Sequence, residues 1–136
     1  MVVMLVLVVV VIIGMPLVCV ETIPPHSATI SAMIETQVRI HMYMTANRDY
    51  PRDLSVLPVR NGYANRATDG WERPLIYKVD DEGVISLTSL GRDGKVGGEG
   101  DDADIVRRYR TRNDDGSLNI DDEYWIIYSE IPDGAD

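Results

Sequence analysis

The sequence predicts an α+β fold in which one long helix packs on a small antiparallel sheet, with an apolar segment of membrane length ahead of it. Three observations carry this reading. Residues 1–20 hold no charged side chain, residues 26–47 carry apolar side chains at spacings of three or four, and the remainder breaks into short β-rich runs separated by turn dipeptides.

The chain has 136 residues, 26% of them charged, which is enough material for one small domain with a single core. Every Asp, Glu, Lys and Arg falls from Glu21 onward, so the formal charge of -9 belongs to the part that follows the apolar start. An acidic surface of this kind repels phosphate backbones and attracts cations, so no nucleic-acid partner is expected. Cys19 is the only cysteine and lies in the apolar run, which excludes an intrachain disulfide and a cysteine-cluster zinc site.

Residues 1–20 are dominated by Val, Leu, Ile and Met, and their number matches the roughly 20 residues that cross a bilayer as a helix. A cleavable signal peptide fits less well, because no Lys or Arg precedes the run and the run exceeds the usual cleavable core. An ordinary signal anchor holding a periplasmic domain is the competing reading. Pro16 should kink this helix, and Pro24-Pro25 should break it again.

After that break, His26-Ser27 is expected to cap a helix whose apolar stripe is Ile30, Met33, Ile34, Val38 and Met42. Glu35, Thr36, Arg39 and Asn47 fall on its other faces, and Met42-Tyr43-Met44 reads as core filler. His26 and His41 are expected at the surface or as capping groups. The helix ends near Asn47, and a packed connection with Pro51, Leu54, Val56 and Leu57 follows. Asn61-Gly62 and Asp69-Gly70 are turn dipeptides. Leu75 to Val79 and Val84 to Leu90 then read as a hairpin turned by Asp80-Asp81-Glu82-Gly83, with Tyr124 to Tyr128 as a third strand.

The chemistry concentrates in residues 90–105, which hold five glycines and four aspartates. Hard cations such as Ca²⁺ take six to eight oxygen ligands and draw on carboxylates and backbone carbonyls together. Glycines let a chain bend sharply enough to aim carbonyls inward, while Asp93 at one end and Asp102 and Asp104 at the other can close around an ion. A solvated acidic loop is the alternative.

This stretch, from Ser89-Leu90-Gly91-Arg92-Asp93-Gly94 through Gly97-Gly98-Glu99-Gly100 to Asp102-Ala103-Asp104-Ile105, resembles the C-terminal calcium loop of the type II secretion major pseudopilins. Residues 47–57 are similar to that family's helix-ending Tyr-Pro segment. Asp69-Gly70-Trp71-Glu72-Arg73-Pro74-Leu75-Ile76-Tyr77 resembles its Asp-Pro-Trp-Gly-Asn-Pro-Tyr-x-Tyr segment, and Met1-Val2-Val3-Met4-Leu5-Val6 is similar to the body of a pilin helix.

The resemblance implies a pilin-like fold, with a transmembrane and filament-core helix over residues 1–23 and a globular domain over 24–136 whose extension runs from 106 to 136. It implies Ca²⁺ held by the carbonyl of Leu90, the side chains of Asp93, Asp102 and Asp104, and a carbonyl from Lys95 or Val96, with Asp101 and Asp102 as alternatives for one position. It also implies a non-enzymatic subunit of the bacterial inner membrane, crossing it once, with its globular domain in the periplasm. Its partners would be further copies of itself, other pseudopilins and the assembly platform of the secretion system. Two other functions remain open, a minor type IV pilin that binds a surface ligand or DNA, and a signal-anchored calcium-binding domain that does not polymerise.

Two features depart from the family. The basic leader and the Phe-Thr-Leu-x-Glu-Leu start are not found ahead of the apolar run, and aligning Pro16 with the pilin kink proline puts the expected glutamate two positions before Met1. The expectation is therefore a start assigned at an internal methionine. The second departure is the tail, in which residues 111–122 approach an EF-hand loop with Thr111 in place of the first aspartate; a plain acidic turn competes. Arg107, Arg108, Arg110 and Arg112 form the basic cluster, expected to pair with neighbouring acids or an adjacent subunit.

Overall fold

The computed structural model describes residues 22–121 and 125–130, so the apolar run, Pro16 and Cys19 lie outside the described residues. Helix α1 spans Pro25–Asn47, and the four strands are β1 (Ile76–Val79), β2 (Val84–Ser89), β3 (Ile105–Arg110) and β4 (Ile126–Glu130). They form one antiparallel sheet in the order β1-β2-β3-β4. Among the described residues no helix is long and apolar enough to cross a membrane.

Helix α1 begins at Pro25, which follows the cap residue Pro24 and occupies the first helical position, where the missing N–H costs nothing. His26 and Ser27 therefore lie inside the first turn, and no side chain caps the helix, contrary to the expected His26-Ser27 cap. The far end closes as the sequence suggests: Arg48 adopts a left-handed conformation, and its N–H bonds the Met44 carbonyl at 2.8 Å.

The buried face of α1 is Thr29, Met33, Thr36, Gln37, Arg39, Ile40 and Met44. Of the expected stripe only Met33 is fully buried, whereas Ile34 and Met42 are exposed. The true stripe carries hydroxyls and an amide, which dilute its apolar period. The hydroxyls have partners in the fold: that of Thr29 donates to the Pro25 carbonyl and accepts from Gly70 N, each at 2.8 Å, and that of Thr36 donates to the Arg66 carbonyl at 3.5 Å.

Met33, Ile40 and Met44 meet Leu57, Leu75, Ile85, Leu87, Ile105, Tyr109 and Trp125 in one core. Strand β2 buries Ile85, Leu87 and Ser89 by strict alternation, as a sheet with one covered face requires. Each aliphatic side chain so buried contributes about 1.5–3 kcal/mol. His41, expected at the surface, is half-buried, its ring packed edge-to-face with that of Trp125 at 5.2 Å between centroids.

Strand β3 was not legible as a strand, because Ile105-Val106-Arg107-Arg108-Tyr109-Arg110 reads as a charged run. It pairs along its whole length with β2, from Val84↔Arg110 to Ser89↔Ile105, and its Ile105 and Tyr109 enter the core. Strand β4 lies two residues later than expected and pairs with β3 from Val106↔Glu130 to Arg110↔Ile126. Residues 106–110 and 126–130 are thus strands of the sheet. Trp125 Nε1 ties the tail back by donating to the Asn119 carbonyl at 2.9 Å.

Two long connections leave this frame. Residues 57–66 wrap the buried Arg39, which donates from Nε to Pro58 O at 2.8 Å, from Nη1 to Asn65 O at 3.0 Å and from Nη2 to Leu57 O at 3.3 Å. Asn65 completes that loop with bonds to both the N–H and the carbonyl of Arg60, while its own N–H donates to Glu35 Oε1. The second connection, residues 90–104, joins β2 to β3.

Candidate metal centre

The Ser89↔Ile105 pair closes the mouth of the glycine-rich loop, so the ladder brings Leu90 and Asp104, its first and last residues, to the same end. Beneath that mouth lies Asp69, 6% exposed. Its Oδ1 accepts from the N–H groups of Trp71 and Arg73, each at 2.9 Å, and its Oδ2 accepts from the Ser89 hydroxyl at 2.7 Å. The Arg73 guanidinium completes the base, with Nε 3.4 Å from Asp69 Oδ2 and Nη2 donating to the Gly91 carbonyl. An Asp-Gly dipeptide that reads as an ordinary turn therefore anchors the loop. The sequence signal for this was the arginine four residues after the aspartate.

Within the loop the chain folds back on itself. Arg92 N donates to Asp101 O at 2.7 Å, and Gly100–Asp102 forms a single 3₁₀ turn whose end is bonded from Ala103 N to Gly100 O at 3.1 Å. Gly91 and Gly98 adopt φ of +63° and +93° with the backbone of residues 102 and 103 against their α-carbons, so a side chain at either would be strained and would clash. These two glycines are used for close backbone approach, as a carbonyl-lined cation loop requires.

The expected ligands divide into three situations. Asp104 accepts from Gly97 N through Oδ2 at 3.1 Å, while its Oδ1 is buried and has no hydrogen-bond partner. Asp93 is exposed and uses Oδ1 for its own turn, accepting from Lys95 N at 2.9 Å. Asp102 is engaged by Arg92, whose Nε and Nη2 donate to its two carboxylate oxygens at 2.8 and 3.1 Å. Arg92 Nη1 also lies 3.6 Å from Asp101 Oδ2. The hydrogen bond from Arg92, then its charge, holds the Asp102 carboxyl below the usual carboxylate range. Lys95 and Val96 sit at the exposed tip, Val96 at 86%.

Among the described residues, no three His, Cys, Asp or Glu side chains are gathered closely enough to hold a metal on their own. The loop nevertheless fits a hard cation on two counts. Its donors are all oxygen, and one buried carboxylate oxygen, Asp104 Oδ1, lacks the partner that buried polar atoms normally have. Asp102 fits only once released from Arg92. Neither that pairing nor the Asp69 anchor was anticipated from the sequence.

Within the EF-hand-like stretch of the tail, residues 112–118 form a hairpin turn closed by an Arg112↔Leu118 bridge. Thr111 is fully buried, donating to the Gly83 carbonyl at 2.6 Å and sharing a 2.8 Å bond with the Tyr50 hydroxyl. Asn113 N bonds Ser117 O and Gly116 N bonds Asn113 O, each at 2.9 Å, while Asp115 accepts from both the N–H and the hydroxyl of Ser117. In the basic cluster, Arg110 pairs with Asp114 at 2.6 Å, Arg107 donates to the Tyr109 hydroxyl, and Arg112 bonds the Gly116 carbonyl.

A comparison with curated proteins finds no match. A family model described as type II secretion system (T2SS), protein G, matches residues 26–108, which takes in α1, β1, β2, the glycine-rich loop and most of β3. The chain belongs to the type II secretion system protein G family, the pseudopilins.

Proposed function

We propose that this chain is a structural subunit that polymerises into a periplasmic pseudopilus driving protein export, with its glycine-rich loop stabilised by Ca²⁺. Residues 1–20 anchor the subunit in the inner membrane and supply the filament core, and the acidic domain faces outward. Other pseudopilins and the assembly platform of the secretion system are its partners. Family membership supports the secretion role, and the length and apolarity of residues 1–20 support the anchor.

The observation that carries the calcium part is the buried, unpartnered Oδ1 of Asp104 at the mouth of an all-oxygen loop. Asp104 and Asp93 supply carboxylates, the carbonyls of Leu90 and of Lys95 or Val96 supply the backbone share, and Asp102 joins them. Bound Ca²⁺ supplies positive charge that draws these oxygens together. An ion held by the folded loop alone stabilises the fold by mass action, by about 2.7 kcal/mol at a hundredfold excess over Kd.

Thermal unfolding with calcium, with magnesium and with chelator tests this, beside an Asp93→Ala, Asp104→Ala double variant. The expected result is a calcium-specific rise in Tm that the double variant loses. An unchanged Tm in calcium would reduce the loop to a solvated turn.

A further inference from the structure

Arg92 stands out among the loop's side chains because it places a cation on one of the proposed ligands, Asp102. Its two-pronged contact satisfies both oxygens of Asp102, its third nitrogen approaches Asp101, and its own N–H is bonded to the Asp101 carbonyl. The guanidinium thus joins the start of the loop to residues 101 and 102 near its end. A planar fork matched to a carboxylate is the strongest form of such a contact. Yet the pair is open to water, with the Arg92 side chain 60% and the Asp102 side chain 33% exposed, so it can separate at small cost.

We propose that Arg92 is the loop's own counter-cation, competing with a divalent ion for the Asp102 carboxylate and thereby setting the concentration at which the loop takes up Ca²⁺. The inference rests on the calcium reading above and adds to it a residue that regulates the site without being a ligand. With Arg92 engaged, residues 92 and 101–102 are tied and the acidic loop is partly neutralised. When Asp102 turns to the ion, Arg92 swings into solvent, its charge directed away from the incoming one. Arg92 therefore holds the loop together at low calcium and weakens calcium binding for the same reason.

The test is calorimetric calcium titration of the full chain in detergent micelles, comparing wild type, Arg92→Gln and Arg92→Lys, with Tm in chelator recorded for each. Arg92→Gln should bind calcium roughly fivefold more tightly, the scale of one exposed ion pair. The same variant should melt lower than wild type in chelator. These opposite signs are the signature of competition, since a merely structural role would weaken both. Arg92→Lys, which keeps the charge but loses the fork, should fall between the two. Wild-type or weaker affinity in Arg92→Gln would overturn the inference while leaving calcium binding intact. No heat of binding in wild type and Arg92→Gln alike would overturn the calcium reading, and this inference with it.

Discussion

Two loops of this domain are each organised by an arginine, and they are organised to opposite ends. Residues 57–66 close around Arg39, which rises from the helix, is 6% exposed and is held by three backbone carbonyls. Residues 90–104 are cross-braced by Arg92, which lies at the surface and grips a carboxylate. Carbonyls cannot leave their chain, and a guanidinium cut off from water has no cheaper place to go. Arg39 is therefore a permanent fastening. The Arg92 pair can open because water solvates both halves once they part. Burial, more than the chemistry of the side chain, decides whether an arginine fixes a loop or leaves it free to exchange partners.

The largest expected effect tests the fastening. Arg39→Ala removes three donors and leaves their carbonyls without partners in a packed region, at a cost of about 3 kcal/mol in urea unfolding. Calcium should not alter that cost. A loss below about 1 kcal/mol would break the comparison, since Arg39 would then be as replaceable as a surface group.

The base of the second loop should come next. Asp69→Asn keeps the size of the side chain but loses the charge that receives Arg73 and one of the acceptor roles toward Trp71, Arg73 and Ser89. Its expected cost is about 2 kcal/mol by urea unfolding. The calcium response should also weaken, because Arg73 holds the Gly91 carbonyl at the loop entrance.

The smallest effect is on pH. Asp102 titrates below its ordinary 3.8 in the folded chain because Arg92 hydrogen-bonds and attracts its charged form. A carboxyl depressed on folding stabilises the fold above its unfolded pKa and loses that contribution as pH falls through the lowered folded value. Amide exchange in residues 90–104 should therefore speed up, relative to the intrinsic rate, as pH drops below about 4. The Arg39 carbonyl contacts carry no titrating acceptor and should hold in the same samples. Equal loosening of both loops would count against the distinction.

Helix α1, the β1–β2 hairpin and the position of the acidic glycine loop were readable because each rests on local signals: proline and left-handed ends, turn dipeptides, alternation and glycine density. What escaped depended on distant partners. Thr36 and Arg39 look like an outward face until residues 57–66 are folded over them, and β3 looks like a basic tail until β2 supplies its ladder. The aspartates of the loop were identifiable as a set. Their division into an Asp104 with one unpartnered oxygen, a turn-forming Asp93 and an Arg92-bound Asp102 was not, because it depends on how the chain returns on itself.

The most direct test of the account is amide hydrogen exchange of the full chain with calcium and with chelator, read at both loops in one experiment. Calcium should slow exchange across residues 90–104 and leave residues 57–66 unchanged. No slowing at residues 90–104, or equal slowing in both loops, would contradict the assignment of the glycine-rich loop as the calcium site.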